Sequence, residues 1–134
     1  MVPYSYIKGG RHTGSARLIE VVEGRLKEAM RPMLVSVEFD EAFYRKQNSD
    51  VDAKIIQGEL KSGKDHYIVA GYFEDRLPRP VKVDEAWYIK EYPDVGEAIQ
   101  KGSFMSAAQH FGVEGFKEGR LPHPGWSLAK SKAG

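Results

Sequence analysis

The sequence predicts a mainly α fold: two tandem three-helix repeats behind an N-terminal helix, with short flanking strands. Three observations carry this. Residues 39–80 align with residues 83–124 at a constant offset of 44, without a gap, and self-similarity at a fixed period of this size marks a repeat architecture. Within each copy, Asp, Ser or Pro at prospective helix starts alternates with Gly at prospective helix ends, which is the asymmetry helix termini require. The chain has no cysteine, so neither a disulfide framework nor a Cys-type zinc site is available to hold a loop-rich fold.

The chain divides into an N-terminal zone (1–36), repeat 1 (37–81), repeat 2 (82–126) and a small, polar tail (127–134) expected to fray. In the N-terminal zone, Ile19, Val22, Leu26, Ala29 and Met30 fall on one stripe, which predicts a helix over 15–31. Residues 4–7 and 33–37 read as short strands from their β-branched and aromatic content.

Each repeat then supplies three helix starts. Asp40 and Asp84 have the character of N-caps, preceded by Phe39 or Val83 and followed by Tyr44 or Tyr88 at hydrophobic-staple spacing. The second helix opens near Ser49 or Pro93, with Asp50 or Asp94 against the positive end of the helix dipole. It ends at Gly58 or Gly102. The third opens at Ser62 or Ser106; Ser106 and Gln109 form a capping-box pattern, with Ser62 and Asp65 as a weaker version. Gly71 and Gly115 read either as helix stops or as points of close packing. Leu77-Pro78 and Leu121-Pro122 force an extended exit. The recurring apolar set Phe43, Tyr44, Val51, Ile55, Leu60, Tyr67 and Leu77 returns as Trp87, Tyr88, Val95, Ile99, Phe104, Phe111 and Leu121. It is the expected core. Two units are fewer than repeat proteins usually need, so the N-terminal zone or a second chain must supply cover.

Composition narrows the function classes. Of 134 residues, 41% are hydrophobic and 29% charged, with a net charge of +1. No global field draws such a chain to nucleic acid or to an anionic membrane. No apolar run is long enough to span a bilayer. The absence of cysteine fits a cytoplasmic location.

The pattern D-x-x-x-Y, then Asp-Val, His-aromatic and G-x-x-E-x-R-L-P, resembles a helical repeat found near bacterial glycosyltransferase domains and in some secreted proteins. Repeat 2 carries it most fully, through Asp84, Tyr88, Pro93, Asp94, Val95, His110, Phe111, Gly115, Glu118, Gly119, Arg120 and Pro122. Repeat 1 departs at Ser49 and Asp75. The resemblance covers about two-thirds of the chain and not the N-terminal zone. It implies a mainly helical accessory module, often beside polysaccharide-building enzymes, and brings no catalytic residues.

Candidate functional residues are few, and each has a structural alternative. His66 and His110 share a slot; they read as hydrogen-bonded structural histidines, or as the general base of a small enzyme. Neither repeat supplies the second ligand a metal site needs at the right spacing, so no metal or other cofactor is expected. Glu74 with Arg76, and Glu118 with Arg120, read as local ion pairs, or as planar forks for an anion such as an acidic polysaccharide. Asp50 and Asp94 could be an acid–base pair, but the helix dipole accounts for them. Trp126, which has no counterpart in repeat 1, either caps the repeat end, anchors an interface or stacks on a sugar. The segment with Arg11, Gly14 and Ser15 precedes the predicted helix, where free N–H groups favour an anion, but it lacks the Lys of a phosphate-binding loop. The expectation is a non-catalytic module that binds a protein partner or its own copy, with an acidic-polysaccharide or other carbohydrate ligand as the alternative.

Overall fold

The computed structural model describes residues 3–4 and 20–129. The protein is mainly helical, and among the described residues there is no strand. Helix α1 spans Glu23–Ser36. Repeat 1 contributes α2 (Glu41–Gln47), α3 (Ser49–Ile56) and α4 (Gly63–His66). Helix α4 runs on through a π-helical turn at Tyr67–Gly71 and a 3-10 turn at Tyr72–Glu74. Repeat 2 contributes α5 (Glu85–Glu91), α6 (Pro93–Gln100) and α7 (Ala107–His110), the last continuing as a π-helical turn at Phe111–Gly115.

Helices this short do not persist on propensity alone, so caps and packing must hold them. The Asp40 carboxylate accepts the Phe43 N–H at 2.9 Å and Asp84 accepts that of Trp87 at 3.0 Å. Ser62 accepts from Asp65 and Ser106 from Gln109, both at 3.0 Å. Gln109 reaches back to the Met105 N–H at 2.6 Å, one residue earlier than a standard capping box. Gly58 and Gly102 take φ of 78° and 80°, the left-handed conformation that terminates a helix cheaply only at glycine.

Each repeat closes on itself. The Asp40 N–H donates to the Pro78 carbonyl and the Asp84 N–H to that of Pro122, both at 3.0 Å. The broad helix–helix contacts among the described residues lie within each repeat, and α1 packs on the π turn of repeat 1.

Of each adjacent aromatic pair in the expected core, one ring lies fully inside. Tyr44 and Tyr88 are wholly buried, whereas Phe43 and Trp87 are half-buried. Val51, Tyr67, Val95 and Phe111 are buried as expected. Tyr72 and Phe116, which share a slot absent from the expected core, are buried as well. Ile55, Leu60, Leu77 and Ile99 pack around the edge.

Two local expectations need correction. Residues 33–37 do not form a strand; α1 continues through Pro32 to Ser36. Met30, Leu34 and Val37 are buried on one side, and their burial offsets the hydrogen bond that an interior proline forfeits. The tail does not fray at its start. Leu128 is fully buried, and its carbonyl accepts from the Arg79 guanidinium at 2.9 Å, which also donates to the Glu38 carbonyl. Arg79 thereby ties the exit of α1, the inter-repeat linker and the tail together. Of the strand expected over 4–7, only Tyr4 is described, and it is helical; of the helix expected over 15–31, residues 15–19 lie outside the described residues and 20–22 are not helical, so α1 begins at Glu23. No described helix is long and apolar enough to cross a membrane.

Candidate functional site: twinned clasps and the groove between them

The polar residues shared by both repeats assemble into the same clasp twice. A glutamate in the first turn of α2 or α5 caps the third helix of its own repeat from outside. Glu41 accepts the N–H groups of Gly63 (2.6 Å) and Lys64 (3.1 Å); Glu85 accepts those of Ala107 (2.8 Å) and Ala108 (3.1 Å). A carboxylate at this place satisfies orphan donors and faces the positive end of the helix.

One turn further on, the buried tyrosine meets the histidine. The Tyr44 hydroxyl lies 2.9 Å from His66 Nδ1, and the Tyr88 hydroxyl 2.9 Å from His110 Nδ1. This contact explains Gly71 and Gly115. A Cβ at Gly71 would stand 2.0 Å from the Tyr44 hydroxyl oxygen, and one at Gly115 would stand 2.2 Å from that of Tyr88. Both glycines sit in helical backbone, so close packing, not a helix stop, is their role. Burial pushes both tyrosine pKa values up and both histidine pKa values down. At neutral pH the imidazoles are therefore uncharged.

The arginines close the clasp. Arg76 holds both oxygens of Asp50 at 2.9 Å and also donates to Asn48 at 2.9 Å. Arg120 holds both oxygens of Asp94, at 2.9 and 2.7 Å, and lies over the Tyr92 ring, 4.9 Å from its centroid. Glu74 and Glu118 flank the guanidinium Nε atoms. The arginine hydrogen bonds hold the Asp50 carboxyl down at about 2 and lower that of Asp94. The fork geometry is the one arginine uses for any carboxylate or phosphate, and here an internal aspartate occupies it.

Each expected site residue within the repeats thus has a place. His66 bonds within repeat 1, and His110 within repeat 2. Arg76 and Arg120 hold aspartates of their own repeats. Asp50 and Asp94 serve those arginines as well as their helix starts. Trp126 is half-buried and packs edge-on against Phe111 (5.8 Å) and Phe116 (6.1 Å). Arg11, Gly14 and Ser15 lie outside the described residues. Among those described, no cluster of three or more His, Asp or Glu side chains could hold a metal ion. The reading of single residues missed Glu41 and Glu85; their identity in both copies was the available signal.

Between the repeats runs an open groove of about 510 Å³. Repeat 1 and the linker contribute Phe43, Leu77 and Val81, and repeat 2 contributes Ala108, Gly112 and Val113. Gln47, Asn48, Asp75, Arg76 and Gln109 add polar lining. No family model, curated protein or solved structure matches the chain.

Proposed function

We propose that this chain is a non-catalytic helical repeat module that mediates protein–protein contact, including contact with a second copy of itself. One observation carries the reading. The polar side chains common to both repeats that could do chemistry are engaged inside their own unit: Glu41 and Glu85 as caps, Tyr with His, Arg with Asp. A catalytic base needs a positioned partner and reach to a substrate; these groups are already spent on cohesion. Meanwhile α1 and the residue that precedes it keep apolar side chains in solvent, with Val22 66%, Met33 51% and Val35 48% exposed. Exposed apolar surface of this kind suits an interaction face.

The test is the mass of the full chain in solution by light scattering at micromolar concentration. The expected result is a dimer or higher oligomer that Met33→Glu dissociates without lowering the melting temperature. A concentration-independent monomer counts against self-assembly and leaves only a foreign partner.

The second reading is an accessory module for carbohydrate or polyanion binding in bacterial polysaccharide assembly. It draws on the repeat's resemblance and on the indole of Trp126, which stays partly accessible. Arg76 and Arg120 would have to leave Asp50 and Asp94 to take an anion. Calorimetric titration with acidic and neutral exopolysaccharides tests it; heat that disappears in Trp126→Ala supports it.

A further inference from the structure

The offset between the repeats gives the groove a template inside the same molecule. In repeat 1 the π turn Tyr67–Gly71 is covered by helix α1. Met30 and Leu34, four residues apart on α1, are buried in the same core cluster as Ile68 of that turn. In repeat 2 the equivalent turn, Phe111–Gly115, supplies Phe111, Gly112 and Val113 to the groove. At the Ile68/Gly112 slot, therefore, the unit is covered in repeat 1 and open in repeat 2, whereas Val69 and its counterpart Val113 are exposed in both.

The substitutions between copies favour access. Lys64 and Ile68 of repeat 1 become Ala108 and Gly112, both exposed. A Cβ at Gly112 would meet nothing within 4 Å. Small residues four apart on a helical turn let another backbone approach closely, the physics by which small residues seat helices on one another. Across the groove, Phe43, Leu77 and Val81 provide an apolar wall. A volume of about 510 Å³ admits the apolar side chains of a helix, whose body is about 10–12 Å wide, with that body lying along the rim.

We propose that the inter-repeat groove docks an amphipathic helix of a partner protein, one that presents large aliphatic or thioether side chains four residues apart in the manner of Met30 and Leu34. The mode is helix-in-groove recognition. It rests on the protein-binding function proposed above and names where on the molecule that binding occurs.

The experiment uses the full chain labelled with ¹⁵N and a synthetic peptide of residues 22–37 as the probe, since that sequence already suits the equivalent surface. The expected result is saturable shifts of the Ala108, Gly112 and Val113 amides together with Leu77 and Val81. Gly112→Glu, at an exposed position with room for a side chain, should weaken the peptide by about tenfold or more and keep the wild-type melting curve. No shifts at millimolar peptide overturn the inference. Shifts confined to the Tyr67–Gly71 turn also overturn it, because they report exchange with α1. If Met33→Glu dissociates an oligomer while Gly112→Glu leaves peptide binding intact, the interaction function survives and the groove assignment falls.

Discussion

Repeat 1 and repeat 2 hold an identical clasp in different surroundings. Repeat 1 is polar around it: His66 Nε2 sits 3.5 Å from Glu74, and Asn48 supports Arg76. Repeat 2 is aromatic: Phe104 lies edge-on to His110 at 4.8 Å, and Tyr92 lies under Arg120. Tyr92 keeps a polar duty as well, its hydroxyl accepting the Leu121 N–H at 2.9 Å. At the outer edge, Phe39 packs on Tyr44 and Tyr67 in repeat 1. Repeat 2 has the smaller Val83 at that slot, and Trp126 packs on Phe111 instead. The difference separates what the unit requires from what its position permits. The Glu cap, the Tyr–His bond, the glycine beneath it and the Arg–Asp fork are the requirement. The groups around them are negotiable.

The sharpest way to break this equivalence is at the glycine. Gly115→Ala places a methyl 2.2 Å from the Tyr88 hydroxyl, so either the backbone or the ring must move. The expected loss is about 1–3 kcal/mol for overpacking a full core, read from denaturant melts. Tyr88→Phe removes the oxygen that collides. The double variant should therefore lose less than the two single variants summed, the sign of direct coupling. Strict additivity would place the glycine's role elsewhere.

Acid should act on both histidines next. Both have folded pKa values below the ordinary 6.5, so the unfolded chain binds the proton more readily. Their contribution is complete above pH about 6.5 and is lost as pH falls below it. Desolvation leads at both; the neighbouring arginine adds to it, and Glu74 at His66 and Glu118 at His110 partly offset it. Amide shifts during titration should report loosening around both Tyr–His contacts below pH about 6.5. The aspartates act in a separate window. Their pKa values lie below 3.8, Asp50 at about 2, so the stability they add is present above pH about 4 and disappears below it.

A smaller effect tests the one place where repeat 1 is the poorer version. The Tyr67 hydroxyl is buried without a hydrogen-bond partner among the described residues, and repeat 2 has Phe111 at that slot. Tyr67→Phe should leave stability unchanged or raise it by about 1 kcal/mol. A clear loss would mean that a water or another group satisfies the oxygen. The smallest effect belongs to Arg120→Gln. Asp94 is mostly exposed, so the melting curve should shift by no more than about 1 kcal/mol.

Local chemistry was legible from sequence; contacts across the unit were not. Asp40, Asp84, Ser62 and Ser106 as caps, and Gly58 and Gly102 as stops, each depend on neighbours within four residues. The Tyr–His bond joins residues 22 apart, and the repeat alignment flagged both partners without pairing them. Phe43 and Tyr44 were both expected inside, because an apolar pattern does not rank two adjacent aromatics. Tyr44 goes inside because its hydroxyl has a histidine waiting, which periodicity does not record. Residues 33–37 misled because Leu-Val-Ser-Val has the composition of a strand. Tertiary burial of Leu34 and Val37 overrode that signal.

The bond from Asp40 to Pro78, repeated from Asp84 to Pro122, has a consequence for ancestry. A segment whose last residues clasp its first leaves no dangling end, so a copied gene fragment can be pasted after itself without reshaping either piece. Lengthening such a chain by another 44-residue cassette at the junction should preserve the locks inside each unit, while the bond from Arg79 to the Leu128 carbonyl, which spans that junction, would have to be remade.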